Sequence, residues 1–242
     1  MSGGCRTVFT FTVLCVLLGS AGAAGAQPLS PYRQYSSAPF INGKLREAFQ
    51  NQWRANSERL PVKPTLAGSS FRPVGTVGPT VHKRVASSVQ TLDATRRHEL
   101  EVALLKLLTG YEQQLEQREE ERLKNNLAGA FNFFFAQAWY VLKDGQLLNE
   151  AQRENMLEQL NSAIVAGLNE RRLSDLEKQE LYEAAVLAGS VIVGLYNEGK
   201  DLGRQGQEQV RTARELAREL LGQMMGINLE KVRVTDTAVR VD

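Results

Sequence analysis

From Leu92 to Met224 the apolar positions recur every three or four residues, the spacing that gathers side chains on one face of an α-helix. Leu100, Leu104, Leu107, Leu108, Tyr111 and Leu115 form a first stripe, with Arg96, Arg97, Glu101 and Lys106 lying off it. The polar run Gln117 to Lys124 breaks the pattern, and Asn125-Asn126 suits the end of one helix and the cap of the next. A second helix is predicted over Leu127 to Leu142, with Leu127, Phe131, Phe134, Phe135, Ala138 and Leu142 as its stripe. Phe133, Trp139 and Tyr140 spread aromatic surface around most of its circumference, which predicts a central helix.

The helix boundaries are written in local signals. Asp144-Gly145 is a C-terminal stop, and Asn149 with Gln152 three residues on reads as a capping box that starts a third helix, apolar at Leu157, Leu160, Ile164 and Leu168. Ser174 with Glu177 is a second capping box, so a fourth helix begins near Asp175. It runs into the uncharged stretch Ala184 to Tyr196, too short to span a bilayer and suited to burial, where Ala184, Ala185, Ala188 and Gly189 allow a neighbour to approach closely. Gly199, Gly203 and Gly206 interrupt the pattern before a last helix, Gln207 to Met224, with Val210, Ala213, Ala217, Leu220, Leu221 and Met224 on one face. Short connections favour antiparallel neighbours, and the expectation is an all-α bundle of about five helices over residues 92–226. In the tail, 227–242, Val232, Val234, Val239 and Val241 alternate as in a strand or hairpin, a pattern equally compatible with an irregular end.

The N-terminal third is built differently. All seven prolines fall between Pro28 and Pro79, and residues 27–91 read as a Pro/Ser/Gly-rich arm in which a packed core is not expected. Within it a short helix is predicted over 44–60, where Leu45, Phe49 and Trp53 share a face suited to docking on the main domain in preference to a partner. Residues 1–26 read as a secretory signal: Arg6, the apolar run Val8 to Leu18, then small residues ending Ala24-Gly25-Ala26. Cleavage after Ala26 removes both cysteines, Cys5 and Cys15, so disulfide and thiolate chemistry is excluded from the mature chain. The formal net charge of +2 is close to balance, which argues against a nucleic-acid partner or an anionic membrane surface.

Candidate chemistry is sparse. Gly194 and Gly199-Lys200 have the spacing of a phosphate-cradling loop, but the segment ends a helix and Asp201 replaces the hydroxyl residue that would hold magnesium. His98-Glu99 lacks a second histidine four residues on, and His82 stands apart in the arm. Ser190 sits in the most apolar helix outside any nucleophile elbow, and Glu119, Glu120 and Glu121 are expected on a solvated face. Phe131, Phe133, Phe134, Phe135, Trp139 and Tyr140 are read as core in preference to the lining of a ligand pocket. No catalytic, cofactor-binding or metal-binding residue is assigned.

Asn126-Leu127-Ala128 through Phe131 to Tyr140, Asp144-Gly145, Leu173-Ser174-Asp175, Gln179-Glu180-Leu181-Tyr182-Glu183 and Phe71-Arg72-Pro73 together resemble a family of secreted bacterial all-helical proteins catalogued only as a domain of unknown function. The likeness covers roughly residues 70–235 and implies a helical fold and an exported, periplasmic or extracellular location; it carries no site residues. The expected function is a non-enzymatic binding module of the bacterial envelope, with an unidentified protein partner there or in the extracellular space, no cofactor, and no transmembrane segment once the signal is cleaved. The alternatives are a carrier of a lipid or other hydrophobic small molecule in a cavity beside the aromatic helix, and a hydrolase with an unfamiliar site.

Overall fold

The fold was analysed in a computed structural model, which describes residues 46–55, 65–75, 78–170 and 172–241. The signal segment, the cleavage site and Leu45 lie outside the described residues, as does the side chain of Trp53. Among the described residues the helices are α1 (Arg46–Ala55), α2 (Val81–Ser88), α3 (Ala94–Gln117), α4 (Leu127–Leu142), α5 (Glu150–Glu170), α6 (Asp175–Asp201) and α7 (Gln207–Leu220). A two-stranded hairpin closes the chain, β1 (Val232–Val234) with β2 (Val239–Val241), antiparallel with Val232 opposite Val241. The protein is all-α, as the periodicity predicts.

The local signals act as read. The Asp93 carboxylate accepts from the backbone N–H of Arg96 to start α3, and the Asn126 side chain accepts from that of Gly129 to start α4. Asn149 and Gln152 bond reciprocally, each accepting the other's backbone N–H, and Ser174 and Glu177 form the full capping box of α6. At the end of α4 both Asp144 and Gly145 have positive φ, +53° and +92°, and the Gly145 N–H donates back to the Tyr140 carbonyl at 2.8 Å.

Helix α4 is central. It packs most extensively on α6, with α5 and α7 on its flanks, and Phe131, Phe134 and Phe135 are fully enclosed. The small residues of α6 permit this contact: a Cβ added at Gly189 would lie 3.0 Å from the Phe133 ring and 3.2 Å from the Phe134 Cα, so the missing side chain lets α4 approach closely. A second close crossing joins the end of α6 to the start of α7, where Gly206 abuts Gly199.

The core extends further toward the N terminus than the proline content predicts. Phe71, Val81, Val85, Ala86 and Val89, all within residues 27–91, are buried members of the same core, and α2 packs on α3 and α6. Residues 71–89 thus share one core with the helices that follow Leu92. The short helix expected at 44–60 is α1, docked on α5 with Phe49 fully buried 5.5 Å from the Phe131 ring. The last helix stops at Leu220 instead of Met224, because Leu221–Met225 widens into a π turn ended by Gly226 at φ +67°. The tail is ordered as a hairpin: β2 bonds to α5, the Val239 N–H donating to Asn155 and its carbonyl accepting from Gln159.

Candidate functional site

Two polar clusters hold the N-terminal segment against the bundle. In the first, the Asn126 side-chain nitrogen donates to the Leu66 carbonyl at 2.8 Å and to the hydroxyls of Ser69 and Ser70, while its oxygen caps α4. Ser69 in turn donates to Asn161 of α5 at 2.5 Å. In the second, Gln179 of α6 accepts from the Val74 N–H and donates to the Gly78 carbonyl, each at 2.9 Å. Glu183, one turn further along α6, accepts from the backbone N–H groups of Thr80 and Val81, the orphan donors at the start of α2. Both Gln179 and Glu183 are buried, and each uses the other as a further partner. Residues that carry the family resemblance, Asn126, Gln179 and Glu183, thus act here as structural polar locks.

A row of rings leads from the fastened segment to the surface: Phe71 packs edge-on against Tyr182, Tyr182 lies 6.0 Å from Tyr111, and Tyr111 lies 4.6 Å from Phe133. Phe133 opens onto a cleft of about 270 Å³ between the C-terminal end of α3, one face of α4 and the start of α5. Asn132, Ala136 and Tyr140, spaced i, i+4, i+8 on α4, share that lining with Tyr111 and Leu115 of α3 and with Leu147 and Leu148 of the α4–α5 turn. Leu147 is 77% exposed, the highest value among the exposed large hydrophobic residues of the described chain. The rim is charged in both signs. Arg118 and Glu120 come from the α3 side and Glu150 and Arg153 from α5, and none of these four forms an ion pair with another described residue, whereas Arg122 is paired with Glu154.

Two polar groups of the lining residues are unsatisfied. The hydroxyl of Tyr111 and the side-chain oxygen of Asn132 are both buried with no hydrogen-bond partner among the described residues, a cost of about 1–3 kcal/mol for each. Burial, with the nearby carboxylates of Glu120 and Glu112, pushes the Tyr111 hydroxyl well above the ordinary tyrosine pKa, so it stays a neutral donor and acceptor.

The residues singled out in the sequence separate from this cleft. Gly194 lies within α6 and Gly199 in its last turn, and Lys200 pairs with Asp144 at 2.9 Å, so no phosphate cradle forms there. His98 is exposed on α3, whereas His82 is buried in α2 with its Nε2 3.9 Å from Glu101, and burial holds its pKa below the usual value. Ser190 is buried within α6. Glu119 to Glu121 are not consecutive on a helix: α3 ends at Gln117, Glu119 has φ +57°, and Glu120 turns toward the cleft. The aromatic set divides by face: Phe131, Phe134, Phe135 and Trp139 are core, while half-buried Phe133 and Tyr140 line the cleft. The i, i+4, i+8 spacing of Asn132, Ala136 and Tyr140 was the available signal for the cleft, but the apolar stripe of the opposite face dominates the pattern. Among the described residues no group of three or more His, Cys, Asp or Glu is placed to hold a metal ion, and no helix is long and apolar enough to cross a membrane.

No curated protein and no solved structure matches the chain. The model of the Family of unknown function (DUF6683) matches residues 12–242, and the chain belongs to that family.

Proposed function

We propose that this protein is exported and acts as a non-enzymatic binding module, with the α3–α4–α5 cleft as its contact surface. The observation that carries the reading is the meeting at one place of an open cleft lined by aromatic, aliphatic and charged side chains and the exposed side chain of Leu147. Exposed apolar surface costs free energy in water, and a partner that covers it offsets that cost. The cleft lining combines aromatic, aliphatic, amide, arginine and glutamate side chains, a mixture suited to contact with a partner. A carrier of hydrophobic molecules is favoured less, because about 270 Å³ falls short of the roughly 300–1,000 Å³ usual for small-molecule sites, and the adjoining rings of α4 are packed.

The test is capture from an envelope fraction with the tagged chain beginning at Gln27, run beside an Ala136→Trp variant that fills the cleft. A protein retained by the first and lost by the second supports the reading; retention by both places the contact elsewhere. Export is checked separately by N-terminal sequencing of material recovered outside the cytoplasm. Gln27 is the expected first residue, and an intact Met1 on a membrane-bound product would overturn the exported reading.

A further inference from the structure

Resting on the reading of the cleft as the contact surface, we infer that its occupant is a polypeptide segment: one large apolar side chain inserted between α3 and α4, flanked within a few residues by charges of both signs. Two observations favour a peptide over a lipid chain or a simple anion.

The first is size, since about 270 Å³ open at one side accommodates a side chain and its adjoining backbone more readily than an extended acyl chain. The second is the rim. Each side of the cleft contributes one guanidinium and one carboxylate without an ion-pair partner among the described residues, Arg118 with Glu120 and Arg153 with Glu150. An anionic ligand would meet repulsion from the glutamates, whereas a chain carrying both charge types finds an opposite charge on each side. Leu147, exposed at the cleft, adds apolar surface that the peptide covers.

The experiment selects a phage-displayed random dodecapeptide library on the chain beginning at Gln27, with counter-selection on Ala136→Trp. Enriched sequences are expected to contain a single aromatic or large aliphatic residue with both acidic and basic neighbours. A synthetic peptide of that sequence is expected to bind Ala136→Trp at least about tenfold more weakly, a loss of about 1.4 kcal/mol. Reversing the rim with Arg118→Glu and Arg153→Glu is expected to weaken binding and reduce its salt dependence.

Enriched peptides that bind Ala136→Trp as tightly as the unaltered chain would overturn the inference, as would enrichment of uniformly apolar or singly charged sequences, or no enrichment. These outcomes are distinct from failure of the broader reading. An envelope protein captured by the unaltered chain and lost by Ala136→Trp, with no peptide enriched, retains the cleft as a contact surface and rejects the linear segment as its occupant.

Discussion

Glu183 on α6 holds Val81, the first residue of α2, through a 2.9 Å hydrogen bond from the Val81 backbone N–H to its buried carboxylate, and the same oxygen accepts from Thr80. A carboxylate at a helix start meets both the unpaired N–H groups and the positive end of the helix dipole. The contact joins residues 102 positions apart, so it orders the segment before α2 as well as the helix.

Replacing Glu183 by Ala therefore leaves the buried N–H of Val81 and the part-buried N–H of Thr80 without their acceptor. A loss of about 1–3 kcal/mol is expected, read as a shift in denaturant midpoint at constant slope. Amide exchange at Thr80 and Val81 is expected to quicken together. Unchanged protection at both would mean that α2 is held by packing alone.

Asp144 supports a prediction about pH. Its carboxylate oxygen accepts from the Tyr196 hydroxyl at 2.6 Å and from Arg214 at 2.8 Å, with Lys200 at 2.9 Å, and these partners lower its pKa from 3.8 to about 2, the Tyr196 hydrogen bond being the largest cause. A group whose folded pKa is depressed stabilises the fold above its unfolded value and loses that contribution as pH falls through the folded one. The stability difference between the unaltered chain and Asp144→Asn is thus expected to be constant above about pH 5 and to shrink between pH 3.8 and 2. Denaturant midpoints measured across that range check it, and a difference independent of pH down to 2 contradicts it.

Phe134 and Phe135 are fully enclosed between α4 and its neighbours. Replacing either by Ala is expected to destabilise the fold by roughly 3–5 kcal/mol, through lost burial and the cavity left behind. Helical circular dichroism during denaturant unfolding measures this; near-unaltered stability in both variants would move these rings from core to pocket lining.

The glycines give a paired test. A Cβ at Gly206 would lie 2.1 Å from the Gly199 carbonyl oxygen, so Gly206→Ala forces α6 and α7 apart and is expected to cost about 1–3 kcal/mol. Gly110 on α3 has open space around the added atom, and Gly110→Ala is expected to stabilise the fold by about 0.5–1 kcal/mol through better helix propensity. Equal effects of the two substitutions would reject the close crossing.

What the sequence determined by itself is whatever depends on neighbours three or four residues away. The start of α4 at Asn126, the reciprocal caps Asn149 with Gln152 and Ser174 with Glu177, the stop at Asp144-Gly145 and the buried stripe of α4 are all interactions within one helical turn, and each is legible as a short pattern. Gln179 and Glu183 follow the same i, i+4 spacing, yet in sequence they are indistinguishable from a solvated helix face. Only the tertiary structure brings Val74, Gly78 and Thr80 to them across more than a hundred residues, and so places a proline-containing segment in the core. The cleft is of the same kind. Tyr111, Asn132, Leu147 and Arg153 lie on three helices and a turn, and no periodicity records which faces meet, because surface complementarity between elements is set by how the helices cross.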